Sequence, residues 1–258
     1  MSVNTLKSML GEGRPVYGPF CKMQDPAVIE IAGLAGFEFV IIDMEHGAHS
    51  IESVQSMVRA AEARGITPVV RVTENSETLI LRTLDIGVKC IQVPQVSTKE
   101  DALKVARAIS FHPRGERGMC RYVRAANYTA IEKSEYFGKA SESVLSIIHI
   151  EGVTGLKNLP DILTVDGIDV IFLGPYDLSQ SCGVPGQVHH DKVVREMEEA
   201  VVLAKTHGKA VGTFTESVEN AKKWNEIGVQ YISYSVDVGI LMDAFKGIYG
   251  QLKNTVPG

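Results

Sequence analysis

The feature that most constrains this chain is a repeated alternation. Eight short runs rich in Val and Ile are separated by longer amphipathic segments. The runs lie near Val16–Cys21, Phe39–Asp43, Pro68–Val72, Cys90–Val93, Val144–Ile150, Asp169–Leu173, Ala210–Phe214 and Tyr231–Tyr234. Apolar runs of this length suit strands buried on both faces, the usual state of a parallel sheet. Helical patterns lie between them, among them Ile51–Ala63, Glu77–Leu84, Lys99–Ile109, Asp191–Thr206 and Ser217–Glu226. Gly65, Gly87, Gly208 and Gly228 stand where helices end. Strict alternation predicts a parallel sheet covered by helices, and eight repeats favour closure into a (β/α)8 TIM barrel. A length of 258 residues suits one such barrel, and 45% apolar residues can fill its core. No linker or composition break divides the chain, so residues 1–258 read as a single α/β barrel domain with Val238–Leu252 as its eighth helix. The segment Phe111–Ser141 reads as a partly helical excursion after strand four, on the active-site side.

Charge and cysteine usage narrow the function classes. A net charge of −5 argues against nucleic acid or an anionic membrane as partner. No run of about 18 apolar residues offers a membrane span. The segment Met1–Lys7 lacks the apolar core of a signal peptide. Cys21, Cys90, Cys120 and Cys182 form no C-x-x-C pair, as expected of reduced thiols in a cytoplasmic protein.

Active sites of such barrels gather at the C-terminal ends of the strands. The polar residues predicted there are therefore the candidates. Strand five ends on His149 and Glu151, and strand six runs into Gly174, Pro175, Tyr176 and Asp177. Two carboxylates on neighbouring strands can share a hard divalent cation such as Mg2+ or Mn2+, whose shell water and ligand oxygens complete. Each acid alone could equally cap a helix or pair with an arginine. Asp43 and His46 follow strand two, and a carboxylate accepting from an imidazole N–H would make His46 a general base. His49 is a nearby competitor. Arg71 ends strand three, where its fixed charge suits a substrate carboxylate or a developing enolate oxygen; a salt bridge at the mouth is the other reading. Glycine at 174 leaves room beside the acids, and the amides around it can receive a small carboxylate. No lysine obviously ends a strand, which argues against a Schiff-base aldolase.

These residues resemble a known family. Asp43-Met44-Glu45-His46-Gly47, Arg71, Leu84-Asp85-Ile86-Gly87 leading into Ile91-Gln92-Val93-Pro94, Pro113-Arg114-Gly115-Glu116-Arg117-Gly118, Ile150-Glu151 and Gly174-Pro175-Tyr176-Asp177-Leu178 occur in the order of the HpcH/HpaI aldolases. The resemblance implies a class II, metal-dependent pyruvate aldolase that cleaves 4-hydroxy-2-oxo acids to pyruvate and an aldehyde, and runs the reverse addition. It implies that Glu151 and Asp177 hold Mg2+, Mn2+ or Co2+, that Arg71 steadies the keto oxygen, and that His46, oriented by Asp43, moves protons. It also implies a homohexamer that exchanges its last helix between subunits, with Asp85 reaching into an adjacent subunit's site. The chain departs from the family at His149, where glutamine is common, and at Tyr176, where a smaller residue is common. Substrate contacts are thus expected from Arg71, His149, Gly174, Pro175 and Tyr176. Competing expectations are a citrate-lyase-like or malyl-CoA-like enzyme, a decarboxylating carbon–carbon bond-forming enzyme, and a non-catalytic metabolite-binding barrel.

Overall fold

Every Val/Ile-rich run becomes a strand in the computed structural model, which describes residues 5–254. The strands are β1 (Val16–Cys21), β2 (Phe39–Asp43), β3 (Thr67–Arg71), β4 (Cys90–Val93), β5 (Leu145–Ile150), β6 (Val170–Leu173), β7 (Ala210–Thr215) and β8 (Tyr231–Val236). They pair in chain order, all parallel, and β8 closes on β1 to complete the barrel. The helices are α1 (Thr5–Gly11), α2 (Pro26–Leu34), α3 (Ile51–Arg64), α4 (Glu77–Asp85), α5 (Lys99–Ile109), α6 (Lys133–Lys139), α7 (Val153–Lys157), α8 (Leu159–Ile162), α9 (Pro175–Ser181), α10 (Asp191–Thr206), α11 (Val218–Ile227) and α12 (Asp237–Asn254). Local chemistry sets their ends. Ser50 and Thr98 close capping boxes on α3 and α5, and Gly65 ends α3 in the left-handed region at φ 71°.

The period of two along each strand divides the core. Phe39, Ile41, Val69, Cys90, Leu145, Ile147, Val170, Phe172 and Tyr231 point inward and fill the barrel. Their neighbours Val40, Ile42 and Val70, and likewise Ile91, Ile148 and Ile171, pack outward under the helices. The inward register then continues upward into polar residues. Asp43 pairs with Arg71 and Arg71 with Gln92, while His149 pairs with Phe172. Apolar layers below and polar groups at the top of the same face are what place the site.

Two features differ from expectation, and a third is plain only in the structure. Helices α1 and α2 were not anticipated; α2 begins with Asp25 accepting from the Ala27 amide at 2.9 Å and Pro26 in its first turn. The Phe111–Ser141 excursion leads from α5 into β5, so it lies at the N-terminal end of the barrel, opposite the active-site side. There Arg124 donates to the Ile86 carbonyl just ahead of β4, and Phe111, Ala126, Tyr136 and Ala140 make a small separate core. The physical reason is order: a segment after a helix meets the strands at their starts. Finally, α12 exposes a long apolar row in which Met242, Phe245, Ile248, Tyr249 and Leu252 are each more than half exposed. Among the described residues no helix is long and apolar enough to cross a membrane, and the four cysteines are free thiols.

The interior packs large against small. Phe39 and Tyr231 stack with ring centroids 4.2 Å apart, and glycines make the room for them. A Cβ on Gly18 would stand 2.1 Å from the Phe39 carbonyl oxygen, and one on Gly212 would stand 2.6 Å from the Tyr231 ring. We expect Gly18→Ala to destabilise the fold by about 1–3 kcal/mol. Gly11→Ala, which meets open space, should change stability little. Urea unfolding of the two variants checks this.

Candidate active site at the barrel mouth

The mouth is built on a buried ion-pair cluster. Arg71 is 8% exposed and Asp43 fully buried. The guanidinium donates from Nε and Nη2 to the two Asp43 oxygens, each at 2.8 Å, and its Nη1 lies 2.9 Å from Glu45 Oε2. Its plane also rests 4.7 Å from the centre of the Phe20 ring. Burial pushes the Asp43 carboxyl upward, but the Arg71 hydrogen bonds and charge outweigh it and hold Asp43 below the ordinary range. Glu45 goes the other way: burial and the Glu151 charge raise it more than Arg71 lowers it. One arginine thus faces two acids.

This corrects the expected Asp43–His46 pair. Asp43 reaches residue 46 only through the main chain, accepting from the amides of Glu45 at 3.1 Å and His46 at 3.4 Å. Its carboxylate belongs to Arg71 and does not orient the imidazole. The His46 side chain is exposed and lines the same cavity as Arg71, His149 and Glu151. His49 turns away, its Nε2 3.3 Å from the Cys21 carbonyl.

A second chain of hydrogen bonds supports Glu151. The Tyr231 hydroxyl donates to Gln92 Oε1 at 3.1 Å, deep in the barrel. The Gln92 amide nitrogen faces His149 Nε2 and can only donate, so that ring nitrogen accepts and the proton sits on Nδ1. Nδ1 then donates to Glu151 Oε2 at 3.1 Å, while the imidazole stacks on Phe172 with centroids 4.4 Å apart. The other carboxylate oxygen accepts from the Gln95 amide at 2.7 Å, where Gln95 holds φ 57°. Burial alone would raise the Glu151 carboxyl; the hydrogen bond and charge of His149, then the Gln95 hydrogen bond and the Arg71 charge, bring it down to about 2. Both nitrogens of His149 are taken, so its expected role as a direct substrate contact is replaced by support of Glu151. Sequence reasoning missed Gln92, Gln95, Glu45 and Tyr231 as parts of the site. The inward period of two was the one signal that could have found Gln92 and Tyr231.

Gly174 joins this cluster to β6. A Cβ there would lie 3.0 Å from Glu151 Cβ and 3.1 Å from its Oε2, so a larger residue would push the carboxylate by a few tenths of an ångström. The Gly174 amide is used, donating to the Ile150 carbonyl at 3.3 Å. The amides of Tyr176 and Asp177 open α9, where no intrahelical acceptor precedes them. Asp177 is exposed and, with Glu151, Gly174, Pro175 and Tyr176, lines a cavity of about 310 Å³. The Tyr176 hydroxyl donates to Glu216 Oε2 at 2.6 Å across the mouth. A larger cavity of about 710 Å³, lined by Lys7, Asp169 and Lys209, lies at the opposite end of the barrel, away from all these groups. Asp85 stands at the end of α4, outside the mouth cavity of its own chain, and accepts from Arg117 at 2.9 Å.

The donor set fits a hard cation. Two carboxylates share the cavity, and each Glu151 oxygen keeps a lone pair beyond its one hydrogen bond. Among the described residues no three His, Cys, Asp or Glu side chains gather into a ligand cage, so water and ligand oxygens would complete the shell, as Mg2+ and Mn2+ prefer.

The depressed Glu151 value has a consequence for stability. A folded value near 2, against the ordinary 4.5, means the ionised group stabilises the fold; that contribution is full above 4.5 and lost as pH falls toward 2. Glu151→Gln should therefore be less stable than the parent at neutral pH, with the gap closing across that acid window. Urea unfolding over a pH series reads the gap, and a gap independent of pH would contradict the assignment.

Comparison with known proteins agrees with this geometry. Residues 17–244 match the HpcH/HpaI aldolase/citrate lyase family. The chain is 31% identical to a hydroxypyruvate/pyruvate aldolase of Pseudomonas aeruginosa, over 100% of this chain and 96% of that protein. It is also 31% identical to a 4-hydroxy-2-oxo-heptane-1,7-dioate aldolase of Shigella flexneri, over 98% of this chain and 94% of that one. The crystal structure of an HpcH/HpaI aldolase/citrate lyase family protein from Burkholderia cenocepacia superposes with a TM-score of 0.92 at 31% identity, covering 97% and 100% of the two chains. By the family match, its relatives and its fold, this chain is a carbon–carbon lyase belonging to the HpcH/HpaI aldolase/citrate lyase family.

Proposed function

We propose that this enzyme cleaves 4-hydroxy-2-oxo acids to pyruvate and an aldehyde, and runs the reverse addition, with a divalent cation held by Glu151 and Asp177. What supports the reading is the convergence of Glu151, Asp177, Arg71 and His46 on one cavity, with the His149 imidazole and the Gln95 amide donating to the Glu151 carboxylate. A cation there supplies positive charge next to the oxygen that turns negative as the carbon–carbon bond breaks. Arg71, fixed by Asp43 and Glu45, adds charge on the same side without having to reorganise. His46, exposed at the cavity, is the proposed base for the 4-hydroxyl proton. The amides of Tyr176 and Asp177, which have no acceptor within α9, are the proposed receivers of the substrate carboxylate. A citrate-lyase-type reaction on a thioester is the second reading, because the matched family spans both.

The proposal extends to the assembly. Residues 1–258 act as one cytoplasmic barrel unit, and α12 seats its apolar row on another copy in a homohexamer, which brings Asp85 to a neighbour's site. The exposed Met242, Phe245, Ile248, Tyr249 and Leu252 support this, since so long an apolar row is rarely left in water.

Two experiments test these readings. Glu151→Ala should lose pyruvate release in saturating Mg2+ or Mn2+, and a chelator should silence the parent until metal is restored. His46→Ala should slow turnover by about 10²–10⁴-fold with metal affinity retained. Full activity of Glu151→Ala would refute the metal assignment, and turnover of thioesters alone would favour the second reading. Phe245→Asp should reduce the sedimentation mass of the assembly; an unchanged mass would detach α12 from the interface.

A further inference from the structure

Lys22 directly follows β1, so a lysine does stand at a strand end. Register explains its place. Cys21 pairs with Ile42, which carries Lys22 level with Asp43. Phe20 points into the barrel and Cys21 packs outward, so the period of two turns residue 22 inward again. Lys22 is thus the β1 member of the polar layer that Asp43 and Arg71 continue on β2 and β3. It lines the mouth cavity of about 310 Å³ together with His46, Arg71, Glu151 and Asp177. Its main chain is anchored, because the amides of Lys22 and Met23 donate to the two oxygens of the buried Asp237 at 3.0 and 2.9 Å.

The charges of the mouth are unevenly matched. Arg71 is committed to Asp43 and Glu45. Lys22 is half-buried, and among the described residues its ammonium has no hydrogen bond or ion pair. Its charge still reaches the strand-two loop: against burial, the Arg71 contacts, the His46 amide and then the Lys22 charge lower the Asp43 carboxyl. A fixed, partly desolvated cation facing a cavity without a counter-ion is a place for an anion. The substrate's own layout says which anion. Its first carboxylate is assigned to the start of α9, after β6, and its 4-hydroxyl to His46, after β2. The aldehyde half therefore begins at His46. Beside β2 in the closed barrel stand β1 and then β8, and their ends offer the cavity Phe20, Lys22 and Val236. Lys22 is the one charge among the three.

We propose that the Lys22 ammonium receives a carboxylate carried by the aldehyde half, so that the preferred acceptor is a short aldehydic acid and the product a 4-hydroxy-2-oxo diacid. This rests on the aldolase reading and deepens it. One ammonium matches one carboxylate. The second charge of a phosphate ester would be opposed by Glu151, Asp177 and Glu216, which line the same cavity. Ligand pockets commonly span about 300–1,000 Å³, and this one is at the bottom of that range, which suits a short acid.

The test compares glyoxylate, glycolaldehyde and glyceraldehyde 3-phosphate as acceptors for pyruvate in saturating Mn2+. The first two are similar in size and differ in charge. The parent should favour glyoxylate over glycolaldehyde in kcat/KM. Lys22→Met, which keeps the apolar stem, should lower that ratio by about tenfold, mostly through a higher KM for glyoxylate. Lys22→Glu should lower it further, and Lys22→Arg should hold it near the parent's. Added salt should shrink the parent's ratio and leave that of Lys22→Met nearly flat. An unchanged ratio in Lys22→Met overturns the proposal while the aldolase reading stands. An equal loss with both acceptors, or a higher KM for pyruvate, puts Lys22 on the pyruvate half and also overturns it. A parent preference for the phosphate ester that Lys22→Met removes overturns the carboxylate assignment. Absence of product from all three acceptors in the parent enzyme overturns the aldolase reading and this proposal with it.

Discussion

The site depends on keeping one carboxylate charged inside a protein wall. Moving an ionised acid out of water costs far more than most side-chain contacts return, and such a group normally neutralises itself by shifting its pKa upward. Glu151 does the opposite because donors surround it. The His149 imidazole meets one oxygen, the Gln95 amide meets the other, and Arg71 adds charge nearby. The supports are themselves supported. His149 is held in its tautomer by Gln92, and Gln92 by the hydroxyl of Tyr231 in the barrel interior. An imidazole N–H that donates to one oxygen favours the ionised carboxylate and leaves its other lone pairs free to meet a cation. A glutamine in that place would donate in the same way; a histidine adds a stacked ring on Phe172 and removes a rotatable bond.

The second cluster follows a different rule. Arg71 meets two acids, Asp43 and Glu45, and the three make a buried group with surplus negative charge. Breaking such a group by removing one member costs about 3–5 kcal/mol, since the remaining charge stays buried and unpaired. The pairing with Asp43 is bidentate, which fixes the guanidinium plane and aims its remaining edge. Asp43 also receives two amides of the loop that carries His46. One carboxylate therefore sets both the arginine and the loop, though not the imidazole itself.

Much of this was legible in the chain, for identifiable reasons. Strands buried on both faces leave continuous Val/Ile runs, and all eight were visible; their ends moved by a residue or two, as β3 did from Pro68–Val72 to Thr67–Arg71. The carboxylates at 151 and 177 stood out because a strand end is a fixed place in a barrel. The failures share one cause, which is reasoning by nearness in sequence. Asp43 was paired with His46, three residues away, but in the sheet it stands beside Arg71, 28 residues on. The excursion was placed with the strand it was counted from, when it follows the helix α5. Helix α2 hid because IEIAGLAG is apolar nearly all round and carries glycines, so it shows little of the one-sided pattern by which helices are found. Tyr176 and Glu216 are 40 residues apart, and nothing local to either announces the bond between them.

These two clusters draw on strands β2 to β5, with Tyr231 reaching in from β8, whereas the Tyr176–Glu216 hydrogen bond joins the ends of β6 and β7. The barrel mouth thereby has two unlike halves. In the half with Arg71 and Glu151, both Asp43 oxygens and both Glu151 oxygens are held by donors from neighbouring elements. The half with Tyr176 and Glu216 is exposed and joined by a single hydrogen bond between two loop ends. Asp177 lies at the boundary, one residue from Tyr176 and across Gly174 from Glu151. In a fold whose strands are locked by register, the loops at their C-terminal ends can vary without moving the charges that the strands hold.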